Sequence, residues 1–117
     1  MKMLQVTIRT NKFEEELAIY KQIVGLRIVR DLREKCHGIV FLADNDGDTC
    51  IEIINTPDGD NAGNKLLSIG FDCGDAEKMR EKLASMGMEV SAIESPVPYV
   101  RFFFVKEPFN RHCSLKD

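Results

Sequence analysis

Glu52 interrupts an otherwise apolar run, Ile51, Ile53 and Ile54, so its carboxylate must face either a cavity or solvent. Set among apolar neighbours it could serve as a general base; on an open surface it would be an ion-pair partner for Arg9 or Arg101. Gln5 stands in the amino-terminal segment Gln5-Val6-Thr7-Ile8, where it could hydrogen-bond Glu52 or the backbone. His112 and Ser114 are two residues apart, which puts both on one face of a strand, and the imidazole could act as acid, base or ligand. Tyr99, Arg101 and Phe103 also alternate, offering ring stacking and an anion contact. His37, beside Cys36 at a strand start, reads as structural. No pair among the two histidines and four cysteines has CxxC or HxxxH spacing, which argues against a structural zinc site. Asp44, Asp46 and Asp48 suggest a calcium loop, but its sixth position is Thr49 where glycine is needed and its twelfth is Asn55, not Glu. The Asp46-Gly47 pair suits a hairpin turn better.

These residues need elements to position them. Val6 and Ile8 alternate with Gln5, Thr7 and Arg9, the period of a strand with one buried face. Asn11 is placed to cap a helix over 12–24, with Glu14 in capping-box position and Phe13, Leu17, Tyr20 and Val24 at helical spacing. Gly25 and Leu26 end it. Arg27 to Leu32, His37 to Leu42 and Thr49 to Asn55 read as strands, and 56–65, with Pro57, Gly59 and Gly63, reads as a linker. The pattern then restarts: a strand from Leu66 to Asp72, then a helix from Asp75 with Ala76, Met79, Leu83 and Met86 on one stripe, stopped by Gly87 and Met88. Three strands follow, Glu89 to Ile93, Tyr99 to Val105 and Arg111 to Lys116.

The order of elements is therefore repeated, in units of about 3–55 and 66–116 within one domain spanning 1–117. Gln5-Val6-Thr7-Ile8 aligns with Ser68-Ile69-Gly70-Phe71 at an offset of 63, and Cys50-Ile51-Glu52-Ile53 with His112-Cys113-Ser114-Leu115 at 62. The expected fold is α+β: two tandem βαβββ units forming a curved mixed β-sheet with helices on the outer face. If Val6 and Ile8 pack under the first helix, Gln5, Thr7 and Arg9 point into the trough between the units, and so do Cys50, Glu52 and Ile54. Gln5, Glu52, Ser68 and Ser114 become its candidate floor.

The segments Gln5-Val6-Thr7-Ile8, Glu16-Leu17-Ala18-Ile19-Tyr20 and Val24-Gly25-Leu26-Arg27-Ile28-Val29 resemble the opening of the glyoxalase, bleomycin-resistance and extradiol dioxygenase group, the vicinal oxygen chelate superfamily. The run from Phe102 to Asn110 resembles its closing strand and turn, although Glu107, Phe109, Asn110 and Arg111 depart from the usual Asp-Pro-Asp-Gly-Asn. The resemblance implies metal ligands on the first and last strand of each unit, which fall on Gln5, Glu52, Ser68 and Ser114. Only Gln5 and Glu52 could serve, and two serine hydroxyls leave a poor shell for Ni, Zn or Mn. It also implies a homodimer. The leading functional expectation is a small-molecule-binding protein with a degenerate metal site, holding its ligand through Gln5, Glu52, Ser68, Arg101, Phe103, His112 and Ser114, with no cofactor or a weakly bound divalent metal. The competing expectation is a metal-dependent lyase resembling lactoylglutathione lyase, with Glu52 as the catalytic residue. An interaction module that has kept the fold and lost the chemistry is the third.

Composition narrows the partners. The chain has 117 residues, 44% hydrophobic, with 16 Lys+Arg against 19 Asp+Glu. That is enough chain for one core without staples, and too nearly balanced in charge for a nucleic-acid partner. The amino terminus has no signal-peptide core and no apolar run approaches membrane-span length. The expected protein is cytoplasmic, off the membrane, with cysteines that stay as free thiols.

Overall fold

The structure, a computed structural model, describes residues 1–35, 38–58, 68–106 and 112–116. It divides into two compact units, Met1–Asn61 and Ala62–Asp117. The first runs β1 (Gln5–Thr10), α1 (Phe13–Ala18), a π-helical turn (Ile19–Ile23), β2 (Arg27–Asp31), β3 (Ile39–Ala43) and β4 (Cys50–Asn55). The second runs β5 (Ser68–Asp72), α2 (Ala76–Ser85), β6 (Glu94–Val97), β7 (Val100–Lys106) and β8 (His112–Lys116). Each is a four-stranded mixed sheet of the same order, β1-β4-β3-β2 and β5-β8-β7-β6, with the first and last strands parallel. The α+β class and the repeated topology agree with the sequence pattern.

Alternation decides the faces. Ile8, Val40, Leu42, Ile51 and Ile53 are buried together with Phe13, Leu17 and Tyr20 of the helical segment, and α1 packs on β4. Full burial of each such side chain contributes about 1.5–3 kcal/mol. In the second unit α2 packs on β7, and Ala76, Leu83, Phe103 and Val105 are buried. No described helix is long and apolar enough to cross a membrane.

Several local expectations are corrected. The first helix is not continuous over 12–24: after six α-helical residues it widens, with Val24 N–H bonded to the Ile19 carbonyl at 3.0 Å. The extra residue per turn is the mark of a π-bulge, and it leaves Tyr20 fully buried. Its N-cap is Lys12, not Asn11, and the Thr10 hydroxyl accepts the Lys12 N–H at 2.9 Å. Gly25 and Gly87 do end the helical segments with positive φ, at 86° and 84°, and the N–H of Met88 reaches back to Leu83. Asp75 caps α2 by accepting the Lys78 N–H, but Met86 is exposed rather than core.

The expected strand Glu89 to Ile93 is absent; strand β6 begins at Glu94. Only Val90 bridges Val105. Ser91 is the cause: its carbonyl turns to the Arg80 guanidinium at 2.6 Å, and its hydroxyl takes over as acceptor for the Phe104 N–H at 2.8 Å. The ladder is broken there because a side chain has replaced a backbone acceptor. Cys36, His37, most of the linker, Leu66 and the Glu107–Arg111 turn lie outside the described residues.

Candidate functional site

Register places Thr7, Glu52, Phe41 and Arg30 in one row across β1, β4, β3 and β2. The row lies on the face away from α1, because the neighbours Ile8, Ile53 and Val40 are the buried set. Gln5, Cys50 and Ile54 share that face, as alternation predicts. Thr7 Oγ1 donates to Glu52 Oε1 at 2.6 Å and Gln5 Nε2 donates to the same oxygen at 3.1 Å. Glu52 is thus held by two side chains of the adjacent strand.

Arg30 reaches this face through a bulge. Register shifts between Ile28 and Arg30, so Arg30 pairs with Phe41 instead of following the core parity of Ile28. Its guanidinium carbon stands 5.8 Å from the Phe41 ring centroid, within cation–π range. Beside the row is an open cleft of about 450 Å³ lined by Leu4, Gln5, Val29, Arg30, Phe41 and Cys50, and bordered by Lys2 and the turn Asp46–Asp48. The turn is the expected hairpin, held by Arg27 on Asp46 at 3.1 Å and by the Lys2 ammonium on the Gly47 carbonyl at 2.7 Å. Cys50 is a free thiol.

Sequence reasoning found Gln5 and Glu52 but missed Thr7 as their support, and missed Arg30 and Phe41. The available signal was Arg30 itself, a charge at a position whose parity with Ile28 assigns it to the core. Phe41 gave none, because Ile39 to Ala43 is apolar on both faces.

In the second unit the expected residues separate. Register sets Ser68 opposite His112, and Gly70 and Phe104 opposite Ser114, all on one face. Phe103 is fully buried, on the opposite face, and Arg101 is bound to Glu77 of α2 at 2.9 Å. Arg101 and Phe103 therefore belong with the helix layer. The aromatic surface of the other face is Phe102 and Phe104, packed edge to face at 5.6 Å. Tyr99 is exposed in the turn before β7.

A divalent metal would find Gln5 and Glu52 as its donors here. One carboxylate and one amide make two ligands, short of the three that even an open zinc site supplies, and among the described residues no three His, Cys, Asp or Glu stand together to hold an ion.

Two tandem βαβββ sheets of the same strand order, each with a helix packed on one face, define a small α+β architecture of repeated units. The chain belongs to the Glyoxalase/Bleomycin resistance protein/Dioxygenase superfamily, whose family model matches residues 2–111. Among solved structures it is similar to a trypanothione-dependent glyoxalase I from Leishmania major (TM-score 0.77, 18% identity, 98% of this chain and 85% of that one). It is similar also to an antibiotic-binding protein from Streptomyces (0.75, 15%, 98% and 93%) and to a lactoylglutathione lyase from Agrobacterium tumefaciens (0.69, 11%, 97% and 91%). At these identities the likeness is one of fold. No curated protein matches the chain by sequence.

Proposed function

We propose that the protein binds a small organic molecule on the helix-free face of its first unit, without a resident metal. The observation that carries this is the Glu52 carboxylate held by Thr7 and by Gln5, the latter itself lining the 450 Å³ cavity. Apolar lining with a few placed polar groups is how small-molecule sites are built. Gln5 and Glu52 are the first contacts to test; on the second unit the positions are Ser68, His112 and Ser114. A homodimer and a cytoplasmic location complete the proposal, the former tested by sedimentation.

A metal-dependent lyase is the second reading, favoured by one observation: Gln5 and Glu52, the two ligand positions the family uses in this unit, stand within hydrogen-bond reach of each other. Ni, Zn and Mn titrations followed by melting temperature separate the two. Binding near one ion per chain that disappears in Glu52→Gln would favour the lyase reading and overturn the metal-free one. No ion bound, with a ligand from an organic library raising the melting point and Glu52→Ala abolishing the rise, supports the binding protein.

A further inference from the structure

We infer that the ligand is a flat aromatic anion carrying a hydrogen-bond donor at its far end. The inference rests on the binding reading above and names its ligand class. Three arginines of the chain are matched with carboxylates: Arg27 with Asp46, Arg33 with Asp31 and Arg101 with Glu77. Arg30 has no carboxylate partner among the described residues and instead lies against Phe41, exposed at the cavity wall. A guanidinium so placed keeps its forked N–H edge for a carboxylate and its plane for a ring.

The charges around it favour an anion. Lys2 brings a second cation to the same wall, and although its ammonium donates to the Gly47 carbonyl, its charge is not neutralised by that bond. Of the two lining carboxylates Asp46 is engaged by Arg27, which leaves Asp48, out in the turn.

The other end of the row asks for a donor. Glu52 Oε1 accepts from both Thr7 and Gln5, while its second oxygen accepts nothing among the described residues. Glu52 on β4 and Arg30 on β2 are separated by β3. The backbones of the two strands stand two spacings, roughly 10 Å, apart, room for a two-ring aromatic acid lying along the row with one ring edge near the stacked Arg30 and Phe41.

The test uses 6-hydroxy-2-naphthoate, with 2-naphthoate lacking the donor and 2-naphthol lacking the anion. The chain has no Trp, so naphthyl fluorescence anisotropy reads binding directly. Hydroxynaphthoate is expected to bind tightest, to weaken about tenfold or more in Arg30→Gln, and to weaken as salt is raised. Its preference over 2-naphthoate is expected to vanish in Glu52→Ala while the carboxylate contact persists. Circular dichroism confirms that both variants, altered at surface-reaching side chains, are folded. Naphthol binding as tightly as hydroxynaphthoate, or Arg30→Gln leaving affinity unchanged, overturns the ligand class and leaves the binding reading standing. If neither these probes nor any member of a library of neutral, cationic and anionic organic compounds binds, both fall.

Discussion

Thr7→Val removes one hydroxyl and almost nothing else, since valine keeps the β-branched shape a strand prefers. The hydroxyl donates to Glu52 Oε1 at 2.6 Å in a part-buried position. A hydrogen bond to a charged group contributes about 1.5–3 kcal/mol. Glu52 keeps the Gln5 amide and is itself only half-buried, so water recovers part of the loss and the expected cost is about 1.5 kcal/mol. For a chain of 117 residues the unfolding entropy is about 0.25 kcal/mol/K, which turns that cost into a fall in melting temperature of about 6 °C. The coupling is read from a double-mutant cycle with Glu52→Ala by thermal and urea unfolding. The double variant should be more stable than the sum of the singles predicts, by about 1 kcal/mol. Strict additivity, or a Thr7→Val shift below about 1 °C, would show that the hydroxyl does not hold the carboxylate.

Leu83, on the buried side of α2, is fully buried, and Leu83→Ala is expected to cost about 2–5 kcal/mol in urea unfolding. Ser91→Ala strips the Phe104 N–H of its acceptor and should cost about 1–2 kcal/mol, with faster hydrogen exchange at Phe104 as the local signature. The Arg33 side chain and backbone N–H, bonded to Asp31, hold its carboxyl down at about 2. A depressed carboxylate stabilises the fold above its unfolded value of 3.8 and loses that contribution as pH falls through about 2. Carboxyl NMR titration should find the low midpoint in the wild type and a return toward 3.8 in Arg33→Gln; an unmoved midpoint would assign the shift elsewhere.

Sequence order exposed the fold because the duplication is written twice. Period-two runs, glycine stops after both helical segments and Asp75 at its cap each had a local cause, so each could be read locally. What escaped reading depends on long-range choices. The π-helical turn at Ile19–Ile23 goes with the full burial of Tyr20, and the late start of β6 goes with Arg80, eleven residues away, taking the Ser91 carbonyl. The site shows the same division. Gln5 and Glu52 betrayed themselves as polar residues at strand positions, whereas Arg30 was hidden by a one-residue bulge that reverses parity. Arg101 and Phe103 were drawn into the expected site by alternation alone, which says that two residues share a face without saying which face.

The two units also differ in a coordinated way that bears on where binding resides. In the first, Thr7, Glu52 and Phe41 lie side by side across three strands. The matching row of the second is Gly70, Ser114 and Phe104. The aromatic position is kept, while the carboxylate and the hydroxyl that supports it are both gone. A carboxylate on a sheet face needs donors to hold it in one orientation, and a donor beside no acceptor has nothing to hold; the two are therefore gained or lost together. Isolated polar substitutions would have left a Thr without its Glu. The paired difference supports the proposal that Thr7, Gln5 and Glu52 act as one group and that binding rests on the first unit.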